Sequence, residues 1–254
     1  MSSPITAEKS CSRLSTHLTY GTISHRTVFQ EAAKKRDLIK HTNKNFAKSI
    51  NSFLSRLHWR SHFIQKLEDQ PSIEHTSFIP VYDQIREKDE EKLEAWIEGK
   101  TGVHFIDACM IYLRNHGWIN FRMRAMLASF ASYNLWLDWR YFAPRLAALF
   151  TDFEPGIHYS QIQMQSGTTG INTIRMYNPY KQAMDQDPLA KFIKSQIPKV
   201  KNFPPAFFHN PPKKSLNVNL FDNEFQKEII NVKETAQYAR KKIFDIRKSR
   251  EHKI

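Results

Sequence analysis

Glycine is scarce, at 7 residues in 254, where ordinary usage is about 7%. So few glycines exclude a turn-rich β protein and a chain built around glycine-rich phosphate loops. Cysteine is rarer still: Cys11 and Cys109 stand far apart with no partner motif. They supply neither a disulfide framework nor a four-ligand metal site. No run of about 18 uncharged apolar residues exists, so no membrane-spanning helix is expected. The opening MSSPITAEKSCSRLS lacks an apolar signal core, and the expectation is a reducing, cytoplasmic setting. Acidic residues are also short: 25 Asp and Glu face 38 Lys and Arg, a net charge of +13. Such a surface attracts polyanions, nucleic acid before acidic membrane, although solubility alone is a competing use of the same charge.

What is present reads as helix. Hydrophobic residues make up 41% and charged residues 25%, with 18 phenylalanines, a globular composition. The chain is read as one all-α domain over 1–254, with residues 1–9 as a leader. Residues 12–36 suggest a short helix, a turn at Gly21 and a second helix capped by Ser24. Residues 44–68 carry Phe46, Ile50, Phe53, Leu54, Leu57, Ile64 and Leu67, a stripe of 3.6-residue period. Residues 71–83 read as loop, 86–98 as a charged surface helix ending at Gly99, and 105–115 as a helix closed by Gly117. From Asn120 to Trp139 the chain is apolar nearly all round, the mark of a buried helix, yet Arg122 and Arg124 lie within it. A guanidinium in such a place must snorkel out, pair, or meet an anion. Residues 152–172 are polar and hold glycines, which predicts an ordered loop of functional type. Residues 198–222 read as a proline-rich connection, and 224–248 as a basic amphipathic terminal helix.

Three segments resemble the flavin-binding domain of the photolyase and cryptochrome family. They are SCSRLSTHLTYGTISHRTV (10–28), WIEGKTGVHFIDACMIYLRNHGWINFRMRAMLASF (96–130) and TDFEPGIHYSQIQMQSGTTGINTIRMYNPYKQAMDQDP (151–188). The closing IINVKETAQYARKKI extends the likeness. The family's α/β antenna domain has no counterpart in this sequence, so the resemblance is to the helical catalytic half, and a separate antenna partner is left open.

The resemblance implies FAD as cofactor. It assigns Ser12, Arg13, Leu14 and Ser15 to the pyrophosphate, where free amides and hydroxyls at a helix start suit an anion. It places Phe53, Arg60, Phe121, Arg124, Asp152, Glu154 and His158 around the cofactor. Arg124 matches an arginine beside the flavin ring and Asp152 its acidic partner, a pair that stabilises an anionic reduced flavin. Glu154 matches an acidic position near the ring's polar edge. His158 stands where the family commonly has a small polar group facing the redox nitrogen. Trp59 matches a tryptophan that stacks on the damaged base, with a place in the core as its alternative. Trp59, Arg124, Asp152 and His158 are thus the implied catalytic set. Arg56, Trp59, Arg122, Met164 and Lys181 form the implied DNA and lesion set.

Departures accompany these matches. Arg56 replaces a lesion-binding glutamate, Phe121 an asparagine, and Met164 a second stacking tryptophan. Of three tryptophans that feed electrons to the flavin, only Trp139 remains, with Ile162 and Arg86 at the other positions. Trp136 and Trp139, read as three apart on one helix, offer another route. The expected function is light-driven repair of cyclobutane pyrimidine dimers in DNA by a monomer without metal. A cryptochrome-like photoreceptor is the first alternative, and a flavin-free nucleic-acid-binding helical module the second.

Overall fold

The computed structural model describes residues 3–170, 174–211 and 227–251. The chain opens with α1 (Pro4–Ser10), α2 (Ser15–Thr19) and α3 (His25–Ile39). Next comes the longest element among the described residues, α4 (Lys44–Asp69). Two 3-10 turns, Pro71–Glu74 and Pro80–Gln84, lead to α5 (Glu90–Glu98) and α6 (His104–His116). Then follow α7 (Phe121–Ser129), α8 (Trp139–Ala147) and α9 (Pro155–Ser166). The remaining helices are α10 (Pro179–Gln186), α11 (Lys191–Gln196), α12 (Pro205–His209) and α13 (Val232–Glu251). Among the described residues the sole β pairing is an isolated bridge, Glu87 with Leu137. No described helix is long and apolar enough to cross a membrane.

Local chemistry sets these boundaries. Ser24 Oγ accepts from the Thr27 amide at 3.0 Å and starts α3, and Asn43 Oδ1 does the same for Phe46 at 3.0 Å at the head of α4. Gly99 and Gly117 close α5 and α6 at φ of 70° and 64°, a left-handed turn that costs glycine little. The main core gathers Met110, Leu113, Met126, Phe130, Phe142 and Ile193, all fully buried. A smaller one, Val28, Ile50, Leu54 and Leu57, joins α3 to α4.

Several expectations are corrected. The leader contains α1, capped by Ser3. The helix expected from residue 86 begins at Glu90, because 85–87 pairs with 136–138 instead, and its Leu93, Trp96 and Ile97 are buried. The buried helix expected to reach Trp139 ends in a π turn, Phe130–Asn134. There the Leu135 amide donates to Phe130 O at 3.0 Å, one residue further back than in an α-helix. Trp136 then takes φ of 58°, held by its Nε1 donating to Ile85 O at 2.9 Å. Trp136 and Trp139 therefore do not share a helix.

The functional loop expected at 152–172 is largely α9. Several of its polar side chains are buried, and Gln163 is fully bonded: its Nε2 donates to Ile73 O at 2.9 Å and its Oε1 accepts from the Phe78 amide at 2.8 Å. The proline-rich connection contains α12, and its residues 212–222 lie outside the described residues. The terminal helix starts at Val232, with Val232, Ala239 and Ile243 buried. Ile229 is 40% exposed, and Phe225 lies outside the described residues.

Candidate functional site

The segment from Thr151 to Glu154, just before α9, is where the three quoted motifs meet. Asp152 and Glu154 sit two apart on it, and each is taken by an arginine from a different helix. Arg124 of α7 grips Asp152 with two parallel bonds, Nη1 to Oδ1 at 3.0 Å and Nη2 to Oδ2 at 2.9 Å. Its Nε donates to Ile119 O at 2.7 Å, and the guanidinium lies 4.1 Å from the Phe150 ring centroid. Bidentate geometry and a nearly buried carboxylate, 4% exposed, make this a strong pair. The Arg124 side chain keeps 25% exposure, so its charge is open on one side.

The second pair joins residues that sequence matching places separately around the cofactor. Arg60 of α4 reaches Glu154 Oε2 with Nη1 at 3.1 Å and Nη2 at 3.0 Å, and Nη2 also donates to Leu18 O at 3.0 Å. That last bond ties in α2. Thr19 Oγ1 adds a contact to Asp152 O at 3.4 Å, and Thr16 Oγ1 meets Thr151 Oγ1 at 3.4 Å. Bonds to backbone carbonyls leave no pattern in a sequence, so the roles of Leu18 and Thr19 are invisible there.

Ser12 and Arg13 lie exposed before α2, and Leu14 and Ser15 are half-buried at its start. No side chain caps the first amides of α2. Arg13 takes φ of 58°, an uncommon conformation for a non-glycine residue, and stacks its guanidinium 3.9 Å from the Trp118 centroid. The five residues of α2 make its dipole weaker than a full helix start would provide. Hydroxyls and the Arg13 guanidinium are what this segment offers to an anion instead.

His158, in the first turn of α9, is buried. Its Nε2 donates to Ala143 O at 2.9 Å, which leaves Nδ1 as the free ring nitrogen. Burial among Phe150, Phe153 and Tyr159 pushes its pKa down to about 4, so the ring is neutral at pH 7.

On α4, Trp59 is 48% exposed, which settles its alternative as a core residue against the core. It stacks on Phe63 at 5.6 Å between centroids and meets His62 edge-on at 5.6 Å. Arg56 is exposed on the same helix and Phe53 half-buried. Phe121 is 57% exposed at the head of α7. Arg122 Nη1 reaches Gln182 Oε1 at 3.4 Å, and Met164 is half-buried. Lys181 is exposed and paired with Asp185 at 3.2 Å, which weakens it as a phosphate contact.

The tryptophans separate. Trp139 is buried, with Nε1 donating to Ser77 Oγ at 2.9 Å and its edge toward Tyr159 at 6.4 Å. Trp136 meets Tyr238 at 5.3 Å and lies 5.0 Å from the Arg86 guanidinium. The expected pair of neighbours is thus two unconnected contacts. Arg86 itself is buried, with Nε donating to Ser132 O at 2.9 Å and Nη2 to Ser166 O at 2.7 Å. Among the described residues no group of His, Cys, Asp and Glu forms a metal site.

Uncapped amides and hydroxyls beside Arg13, a half-open guanidinium pinned by a buried carboxylate, and aromatic walls suit a ligand with both phosphates and a redox ring. Fold and site together define a helical flavin-binding domain. The chain belongs to the family described as the FAD binding domain of DNA photolyase, whose model matches residues 53–252. The deoxyribodipyrimidine photo-lyase of Halobacterium salinarum is 31% identical over 80% of this chain and 42% of its own length. That of Streptomyces griseus is 29% identical over 79% of this chain and 42% of its own length. Cryptochrome-2 of Gallus gallus is 28% identical over 78% of this chain and 34% of its own length. The chain thus spans less than half the length of these relatives. Among solved structures, an archaeal photolyase from Sulfolobus tokodaii with two FAD molecules superposes with a TM-score of 0.78 at 31% identity. The match covers 96% of this chain and 52% of that one. A class III photolyase from Agrobacterium tumefaciens shares the fold, at a TM-score of 0.82 and 22% identity over 95% of this chain and 51% of its own. FAD is the cofactor of this family, and the residues present fit it.

Proposed function

We propose that the chain repairs cyclobutane pyrimidine dimers in DNA, driven by light. The observation that carries this reading is the adjacency of Trp59 and Arg60 on α4. One presents a half-exposed aromatic face to solvent, and the other is held on Glu154 at the junction of the flavin-binding motifs. A base stacked on Trp59 would lie one residue from the cofactor's own anchoring. FAD, when bound and reduced, supplies a light-driven electron to the dimer, whose ring opens before the electron returns. The protein's part is placement. Trp59 stacks the flipped-out bases, Arg124 and Asp152 fix a positive charge beside the flavin site, and the core behind them excludes water. Carbon–carbon cleavage of this kind needs no general acid or base.

The second reading, a photoreceptor without repair, is favoured by Arg56, Phe121 and Met164 standing where lesion contacts are expected. Both readings share FAD, so one assay separates them. The flavin-loaded chain, chemically reduced, is given an oligonucleotide with one defined dimer under blue light. Conversion of the dimer to intact pyrimidines supports repair. A flavin that cycles in light while the dimer persists rejects it.

A further inference from the structure

Around Trp59, α4 carries cations and aromatic rings but no acid. Between residues 44 and 67 the helix holds no Asp or Glu, and its first carboxylates are Glu68 and Asp69. Glu154, at the head of α9, is used by Arg60. Phe63 stacks on Trp59 from one turn further along α4, and His62 meets the indole edge-on from the same side. Arg56 lies one turn the other way, three residues before Trp59, which makes the two neighbours on one helix face. Arg56 is exposed and makes no hydrogen bond or ion pair with any described residue. A guanidinium in that position offers five donors in a planar fork and no acceptor.

We propose that Arg56 makes the chain selective for dimers that contain cytosine, by forking onto O2 and N3 of a cytosine stacked on Trp59. This rests on the repair reading and names the lesion within it. In a cyclobutane dimer, C5 and C6 of each base are closed into the four-membered ring, and N1 carries the sugar. The edge left for hydrogen bonds is O2, N3 and the group on C4. In cytosine, O2 and N3 are adjacent acceptors, spaced for the two parallel bonds of a guanidinium. In thymine, N3 carries a hydrogen and stands between the two oxygens. A fork placed on any adjacent pair of thymine atoms therefore sets a donor against a donor. That N3–H needs an acceptor, and this stretch of α4 has no carboxylate to supply one. A polar group left unpaired in a closed site is what makes the site reject the wrong base. A phosphate is the competing partner for Arg56, but it needs only the charge and not the fork.

The test uses the full, flavin-loaded chain in the dark at pH 8, where cytosine N3 is unprotonated. Fluorescein-labelled single-stranded 15-mers carry a thymine–thymine, thymine–cytosine or cytosine–thymine dimer at one site, or no lesion. At least one mixed dimer should bind at least about fivefold tighter than thymine–thymine, as a good bidentate base contact provides. With C5–C6 saturated, a cytosine in a dimer exchanges its amino group for the oxygen of water and releases ammonia. The uracil left behind has a hydrogen on N3, so the same oligonucleotide after deamination should fall back to the thymine–thymine affinity. Arg56→Lys keeps the charge and removes the fork. It should bind intact strands as the parent does and lose the cytosine preference. Arg56→Glu supplies an acceptor and should reverse the preference at parental flavin content, because Arg56 holds nothing in the fold. The proposal is overturned if the deaminated dimer keeps the preference, or if Arg56→Glu prefers cytosine as the parent does. It is also overturned if Arg56→Lys keeps the preference, which would make Arg56 a phosphate contact. A parent that binds all three dimers equally, and better than intact strands, rejects the cytosine inference and leaves the repair reading standing. A parent that binds dimers no better than intact strands overturns both.

Discussion

Asp152 is the residue expected to matter most to the proposed flavin site. Its carboxylate is almost fully buried and both its oxygens are used by Arg124. Removing one partner of a buried pair costs about 3–5 kcal/mol, and the partial exposure of Arg124 puts the loss near the lower end, about 3 kcal/mol. Asp152→Ala should therefore purify with little flavin, measured as the ratio of visible to ultraviolet absorbance. A full flavin complement with unchanged redox behaviour would refute the assignment. His158 gives a pH prediction. Its folded pKa is about 4, below the ordinary value near 6.5, so the unfolded chain takes up a proton that the folded chain refuses. Stability contributed by the neutral ring is complete above pH 6.5 and is lost as pH falls toward 4, by at most about 1.4 kcal/mol per pH unit. His158→Gln keeps a donor for Ala143 O and removes the titration. Its unfolding midpoint should depend less on pH between 6.5 and 5 than the parent's, and parallel curves would show that His158 does not titrate as described.

At the scale of elements, α9 depends on its close approach to α4. A methyl group at Gly156 would lie 2.7 Å from Phe63 O and 2.9 Å from Ile64 Cα, both backbone atoms. Neither can move without shifting α4, and overpacking of this kind costs typically 1–3 kcal/mol. Gly156→Ala should lower the melting temperature, and because Arg60 and Glu154 bridge the same two elements, it should also weaken FAD retention. A variant with parental stability and flavin content would mean the helices separate freely. The same crossing explains what the sequence revealed and what it hid. The stripe on α4 and the caps at Ser24, Gly99 and Gly117 were legible because periodicity and cap chemistry are local signals; a charge in an apolar run likewise showed that Arg124 needs a partner, but only the family resemblance named Asp152. α9 was not legible, since buried Gln163 and Ser166 imitate a solvated loop until their partners are known, the carbonyls of Ile73 and Thr76 for Gln163 and the Ser132 hydroxyl for Ser166. The break before Trp136 was hidden for the same reason: it depends on Ile85 and Glu87, some fifty residues away in sequence. Arg60 and Glu154 were each visible as site residues, but their bond was not, because nothing in a sequence says which acid an arginine from another helix will choose.

At the scale of the whole molecule, the chain is expected to unfold as one unit that FAD stabilises. The main core runs from Leu93 to Val232 and links α5 to the start of α13. Both arginine–carboxylate pairs join helices from the first and second halves of the chain. The flavin motifs are thus distributed over elements that cannot form the site unless all of them fold together. Two consequences can be measured. Urea unfolding followed by tryptophan fluorescence, which reports on Trp96 and Trp139 in the main core, should coincide with unfolding followed by far-ultraviolet circular dichroism, because that core is built from the helices themselves. Free FAD at about 100 times its dissociation constant should then raise stability by about 2.7 kcal/mol, since only the folded chain binds it. Asp152→Ala should lose most of this increment while keeping a single transition. Two separated transitions, with FAD shifting only one, would show that the site resides in a part that folds without the rest.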